Sequence, residues 1–240
     1  MKIEDNELKK VISTDIKDGI FEIPKNVTYI GMKAFSGLSE LINITIPEDV
    51  ISIDAGAFIR CIYLKNIAMH EGVTYIGEYA FSGCKSLRNI SIPDGVTVIQ
   101  DCTFTSCEML DNVKLPKNLV SIKPNAFAGC SNLEQIELPT SVRELGTSAF
   151  SACSKLKRIV VPDGVTKIDR MTFFCCEELE SITIPDSVKE IDKLAFTGCH
   201  KLISIEIPTD CKVADNALDK NTDVIRRKNT INKMHMFKEA

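Results

Sequence analysis

A solenoid of stacked parallel coils is the fold class this sequence predicts, and three regularities predict it. The first is a 23-residue step without insertion or deletion, carried by Phe35, Phe58, Phe81, Phe104, Phe127, Phe150, Phe173 and Phe196. The second is a proline row with the same step, Pro24, Pro47, Pro93, Pro116, Pro139, Pro162, Pro185 and Pro208, with His70 in its one gap. The third is a complete leucine row: Leu41, Leu64, Leu87, Leu110, Leu133, Leu156, Leu179 and Leu202. Self-similarity at a period of roughly 20–50 residues marks a chain whose repeats touch only their neighbours. The usual product of such a chain is an extended surface rather than a pocket.

Each block opens on a strand. In Leu87-Arg88-Asn89-Ile90-Ser91-Ile92-Pro93, Ile90 and Ile92 alternate with Ser91, the period-2 pattern of a half-buried strand. Proline ends it, because it fixes φ and cannot donate to a ladder. A second apolar pair follows, such as Val73 and Ile76. That stretch is too short for a helix and reads as a second short strand or an irregular extended arm. The Ala-Phe pair then sends one ring per coil into the core, which contributes roughly 1.5–3 kcal/mol of burial.

No coil buries its apolar face alone, so stacking is obligatory and both ends need caps. Residues 1–19 lack the repeat and read as an N-terminal cap, a short helix or strand carrying Ile3, Leu8, Val11 and Ile12. The solenoid spans 20–218: eight full repeats and a degenerate last coil with Cys211, Ala214 and Ala217-Leu218 in the apolar places. Residues 219–240 read as a polar basic tail with Arg226, Arg227, Lys228, Lys233 and Lys238. For this tail, a solvated terminus outweighs nucleic-acid or membrane contact, because interleaved aromatic residues are lacking.

Seven of the ten cysteines form one column: Cys61, Cys84, Cys107, Cys130, Cys153, Cys176 and Cys199. Equivalent residues on stacked coils point the same way at roughly 4.8 Å. A disulfide needs converging Cβ atoms at roughly 3.8 Å. The column is therefore expected to be a ladder of buried free thiols acting as small hydrophobes. Cys102, Cys175 and Cys211 lie outside it.

The string AFSGCKSLRNISIPDGVTVI, Ala80 to Ile99, resembles the BspA-like (Treponema-type) leucine-rich repeat. The departures are small: Leu38 for the first cysteine, His70 for a proline, Thr103 and Thr172 for the alanine. The resemblance covers residues 20–218. It implies a leucine-rich repeat solenoid with a curved parallel β-sheet on one face and short strands and irregular or 3-10 turns on the other side. Proteins of this family are often surface proteins, several of them adhesins or binders of host proteins. The family has no shared catalytic residues to carry over.

The outward strand positions are the natural docking surface of a solenoid. One outward column is Asn43, Asn66, Asn89, Asn112, Gln135, Arg158, Ser181 and Ser204. The other runs Thr45, Ala68, Ser91, Lys114, Glu137, Val160, Thr183 and Glu206. Interleaved, they form a strip that is amide-rich in its first half and charged in its second. The asparagines suit a structural amide ladder or a polar recognition strip. Asn43, Asn66, Asn89, Asn112, Gln135, Arg158, Lys114 and Glu137 are the candidate binding residues, with the centre at Asn89, Asn112, Gln135 and Arg158. Tyr29, Tyr75 and Tyr79 are candidates for an aromatic cluster on one edge, where core or rim packing outweighs a hot spot.

Enzymatic function is not expected. His70, His200 and His235 are far apart in the repeat register, and no Cys-His or Ser-His-Asp set converges on one coil. Cys175, Cys176, Cys199 and His200 lack tetrahedral zinc spacing. No Gly-rich phosphate loop is present. No cofactor or metal is expected. The net charge of −4 argues against a general binder of nucleic acid, and no apolar run is long enough to span a membrane. The N-terminal MKIEDNELKKVIS is charged, so the sequence as it stands predicts a cytoplasmic protein. A secreted or cell-surface location follows if a leader has been removed. Sequons at Asn26, Asn43 and Asn89 carry meaning only then. The expected function is a non-enzymatic macromolecular binding module for a protein, a host protein or a glycan, as a monomer or a weakly self-associating chain. The alternative is a structural or self-assembling scaffold.

Overall fold

The computed structural model describes residues 1–227, and these form a parallel β solenoid. Three backbone ladders run along its axis. The first joins the strands that carry the outward columns. Asn43–Thr45, Asn66–Ala68, Asn89–Ser91 and Asn112–Lys114 form one four-stranded parallel sheet, with equivalent residues in register. Arg158–Val160 pairs with Ser181–Thr183, and Ser204–Ile207 with Asp223–Arg226. The second ladder is built from two-residue strands such as Ser121–Ile122, which pairs with Val98–Ile99 and Glu144–Leu145. The stretch that read as a strand or an irregular arm is thus a strand.

The third ladder lies in the Ala-Phe turns. There the N–H of one coil donates to the carbonyl 22 residues on, as in Phe81 to Thr103 and Phe127 to Ala149, and this repeats in every coil from Phe35 to Phe173. The turn needs two left-handed residues per coil, four apart. Examples are Tyr79 and Gly83, Cys102 and Ser106, and Met171 and Cys175. The second member of each pair is glycine at positions 37, 83, 129 and 198, and Arg60, Ser106, Ala152 or Cys175 elsewhere.

The core is one continuous cluster. The phenylalanine rings from Phe35 to Phe196 are stacked with centroids 4.7–5.6 Å apart. The seven column thiols are free and buried. Each donates to the phenylalanine carbonyl of the preceding block, as Cys107 does to Phe81 and Cys130 to Phe104, both at 3.2 Å. This bond explains why a thiol suits the place: it is small, apolar and still a weak donor. The departures from the pattern are satisfied locally. Thr103 and Thr172, both buried, bond the carbonyls of Gln100 and Asp169 at 2.8 Å. His70 accepts the Gly72 N–H on Nδ1, which leaves Nε2 to donate to the Val50 carbonyl at 3.0 Å.

The N-terminal cap is a β-hairpin rather than a helix. Lys2–Glu4 runs antiparallel to Glu7–Lys10, around a turn with Asp5 and Asn6 at positive φ. Such a turn matches the twist of the strands it joins. Glu7–Lys10 continues the second ladder by pairing with Tyr29–Ile30. Leu8 and Val11 are fully buried and Ile3 partly so, but Ile12 is 48% exposed, so it does not belong to the cap's core.

At the other end, the stack runs on past residue 218. Strand Asp223–Arg226 lies inside the segment that reads as a polar tail, yet it pairs with Ser204–Ile207. Arg226, though exposed, and Arg227 donate to backbone carbonyls of the preceding coils. The reason is position: the next coil needs a strand at this place, and residues 223–226 supply its backbone bonds despite their polarity. Lys228, Lys233, Lys238 and His235 lie outside the described residues.

Candidate binding surface

The outward strip is solvent-exposed along its length. Of the eight candidate residues, Asn43 is half-buried and the other seven are exposed. Among the described residues, one rung of an amide ladder is present: Asn66 Nδ2 donates to Asn43 Oδ1 at 2.7 Å. Among the described residues, the side chains of Asn89, Asn112 and Gln135 make no such bond. Their amides are therefore available to solvent or to a partner.

The first ladder is interrupted inside this strip. Upstream, the N–H groups of Asp111 and Asn112 donate to the Arg88 carbonyl, and the Ile92 N–H donates to the Lys114 carbonyl. One coil on, no backbone bond links residues 111–115 to 134–138. Gln135 keeps only an isolated bridge to Arg158 on its far side. The second ladder and the Ala-Phe ladder stay closed at this level, through Ser121 to Glu144 and Phe127 to Ala149. The coils thus part on the strand face alone, leaving an open cleft of about 800 Å³ between Asn112-Val113-Lys114 and Gln135-Ile136-Glu137. Val113 and Leu138 are half-buried there, whereas their counterparts Ile90 and Val161 are buried.

Charge agrees with the parted lips. Ion pairs between residues 23 apart clamp neighbouring coils elsewhere: Lys85 to Glu108 at 2.8 Å, Glu134 to Lys157 at 2.7 Å and Lys167 to Glu190 at 3.1 Å. The Lys157 hydrogen bond holds the Glu134 carboxylate below its ordinary range, and hydrogen bonds to Asp192 first, then to Glu190 and Asp169, hold the Lys167 ammonium above its own. Lys114 and Glu137 are also 23 apart, with opposite charges, yet no ion pair joins them among the described residues.

A second interruption of the same ladder separates Ser181–Thr183 from Ser204–Ile207. It is smaller, about 250 Å³, and it is filled from within. The Arg227 guanidinium donates to the Ile184 carbonyl at 2.6 Å and sits 3.1 Å from Asp186.

Tyr29 and Tyr75 point outward on the second ladder, either side of Ser52, with Ile51 beside them. Tyr79 lies one turn further on, and all three rings are half exposed rather than core residues. The neighbouring Cys102 thiol raises the Tyr79 phenol above its usual range.

Among the described residues, no three His, Cys, Asp or Glu side chains are placed to hold a metal. His200 lies 3.3 Å from Asp219, whose other oxygen accepts the Gly198 N–H. Burial pushes the thiols of Cys61 and Cys199 up to about 12 and those of Cys84, Cys107, Cys130, Cys153 and Cys176 well above the usual range, so none is a ready nucleophile. No described helix is long and apolar enough to cross a membrane.

The sequence reading missed the cleft and the Arg227 contact. A signal for the cleft lies in the strip itself: the first charges of its outward columns, Lys114 and Glu137, stand on the two segments that border it.

A parallel solenoid of 23-residue coils, with leucine, phenylalanine and cysteine rows inside and a polar strand strip outside, is the architecture of a leucine-rich repeat protein. The sequence matches the BspA type leucine rich repeat region over residues 13–134 and 120–235, in six copies. The chain belongs to that family. It is similar to a leucine rich cell surface protein of Faecalibacterium prausnitzii A2-165, with 27% identity, 83% of this chain and 69% of that one covered, and a TM-score of 0.55. It is also similar to a leucine rich repeat protein of Treponema pallidum, with 26% identity, 80% and 90% covered, and a TM-score of 0.65. No curated protein matches the sequence.

Proposed function

We propose that this chain is a non-enzymatic binding module that presents its outward strand strip to another protein. One observation carries the reading. Within that strip the ladder opens, and the amides of Asn89, Asn112 and Gln135 and the charges of Lys114, Glu137 and Arg158 have no side-chain partner among the described residues. Polar groups without internal partners are the groups a protein interface pairs. The cell-surface description of the Faecalibacterium relative makes extracellular proteins the class to screen first.

The test is a capture screen with the full chain, followed by charge reversal at Arg158 (to Glu) and Gln135→Lys. The captured partner should lose at least about tenfold in affinity, as expected when central polar contacts are reversed. Unchanged affinity would remove the contact from this strip.

A scaffold role has one observation of its own. The terminal strand Asp223–Arg226 pairs on one side only among the described residues, and it exposes Val224 and Ile225. An open edge of this kind is a template for another chain. Light scattering that shows only monomer at high concentration would count against that role.

A further inference from the structure

The structure assigns an occupant to the cleft: we propose that an extended peptide segment of a partner protein enters the interrupted ladder as an additional strand. The inference rests on the binding-surface reading above and specifies how that surface is used.

Three observations lead there. The first is the chemistry of the lips. In the paired coil, the Arg88 carbonyl, the Lys114 carbonyl and the Ile92 N–H are used across the interface. Their counterparts at the cleft, the Asp111 and Glu137 carbonyls and the Leu115 N–H, have no backbone partner, and the Val113 main chain faces the same gap. Each lip therefore shows alternating N–H and C=O groups at the strand repeat. Only another peptide backbone matches such a row on both sides at once.

The second observation is the side-chain pattern. Asn112 stands in register with Gln135, and Lys114 with Glu137, across the gap. A carboxamide placed between Lys114 and Glu137 accepts from the ammonium and donates to the carboxylate. A carboxamide between Asn112 and Gln135 extends the kind of rung that Asn66 and Asn43 already make. The residue between these two points inward and covers the half-buried Val113. The occupant is thus a strand of pattern (Asn/Gln)-(Val/Ile)-(Asn/Gln).

The third observation is internal precedent. The smaller interruption is bordered by this chain's own Arg227, whose guanidinium donates to the Ile184 carbonyl. The larger one has no such insert among the described residues. Its volume of about 800 Å³ is in the range of small-ligand sites, roughly 300–1,000 Å³.

The experiment has two arms on the full chain. Backbone hydrogen exchange on the free protein should show the amides of Val113, Leu115, Gln135 and Glu137 exchanging at least about 100-fold faster than those of Ile90 and Ile92. Equal protection would mean a closed ladder and would overturn the inference. Protection that appears only at high protein concentration would make a second copy the occupant, and would also overturn it. In the second arm, a displayed library of linear peptides is selected on the chain. The expected result is enrichment of the amide-aliphatic-amide pattern, with affinity lost at least about tenfold when alternate backbone amides are N-methylated. Absence of enrichment, or N-methylated peptides that bind equally well, sinks strand insertion. If Arg158→Glu and Gln135→Lys still abolish partner capture in that case, the strip remains the binding surface and only its mode is lost.

Discussion

Arg60 holds a φ of +58° at a turn position where Gly37, Gly83, Gly129 and Gly198 stand in other coils. A residue with a Cβ pays roughly 1–2 kcal/mol in this left-handed region, and glycine gives part of that back through its unfolded-state freedom. Arg60→Gly is therefore expected to stabilise the fold by about 0.5–1 kcal/mol, read as a higher urea midpoint at unchanged slope. A lower midpoint would show that the Arg60 stem contributes more by packing than the turn loses. The column thiols give a second expectation at this scale. Burial raises their pKa in the fold, so their contribution is complete below the unfolded thiol value and is lost as pH rises towards the folded one. For Cys61 and Cys199, with folded values of about 12, stability should fall by about 1–2 kcal/mol per thiol between pH 7 and pH 10. Urea titrations of the chain and of Cys61→Ala at both pH values check this. The same loss in both would assign it to other groups. Mild alkylation at pH 7 should leave Cys107, Cys130 and Cys153 unmodified. The thiol column was legible from spacing alone, because side chains repeated on stacked coils share one direction. The left-handed pair was only half legible: glycine marks half of one column, and the first member is mostly larger residues such as Tyr79, Met171 and Leu194.

At the scale of the elements, apolar alternation places the strands of the first ladder from Asn43–Thr45 to Ser204–Ile207, because inward residues such as Ile44, Ile90 and Ile159 must be buried whatever their neighbours do. Whether two adjacent strands close a ladder depends on the tilt between coils, which no single block encodes. That is why the cleft at Val113 and Ile136 was not legible, while the switch of the strip from Asn112 to Lys114 and Glu137 was. The C-terminal strand was hidden for a related reason. Its inner contacts are weak and its residues Asp223 to Arg226 are all exposed, so its place rests on backbone pairing and on arginines reaching back. Arg227→Ala removes the donor to the Ile184 carbonyl and is expected to cost about 1–3 kcal/mol locally. The readout is faster amide exchange in Asp223–Arg226, with exchange in Asn89–Ser91 unchanged. If the terminal strand keeps its protection, pairing to Ser204–Ile207 holds it without the arginine.

For the whole molecule, the three ladders do not fail together. The first is open between residues 112 and 135 and again between Ser181–Thr183 and Ser204–Ile207, the second between Tyr75–Ile76 and Val98–Ile99 and between Glu144–Leu145 and Lys167–Ile168, and the Ala-Phe ladder crosses all four places intact. The coil of residues 133–155 therefore has one ladder missing on each side. Phe150 is its main remaining tie, stacked 5.5 Å from Phe127 and 5.6 Å from Phe173. Phe58 is equally buried and stacked 5.3 Å from Phe81, but its coil is closed by both strand ladders on the C-terminal side. Either ring truncated to alanine should cost roughly 3–5 kcal/mol. In a stack coupled only through neighbours, cooperativity breaks where the interface term is weakest. Phe58→Ala should accordingly lower the urea midpoint of one transition. Phe150→Ala should split unfolding into two, one for each side of the 133–155 coil, resolved by amide exchange in Asn89–Ser91 against Ser181–Thr183. A single transition in both variants would mean that the Ala-Phe ladder alone couples the halves. The parted strands would then act on binding and leave the integrity of the stack unaffected.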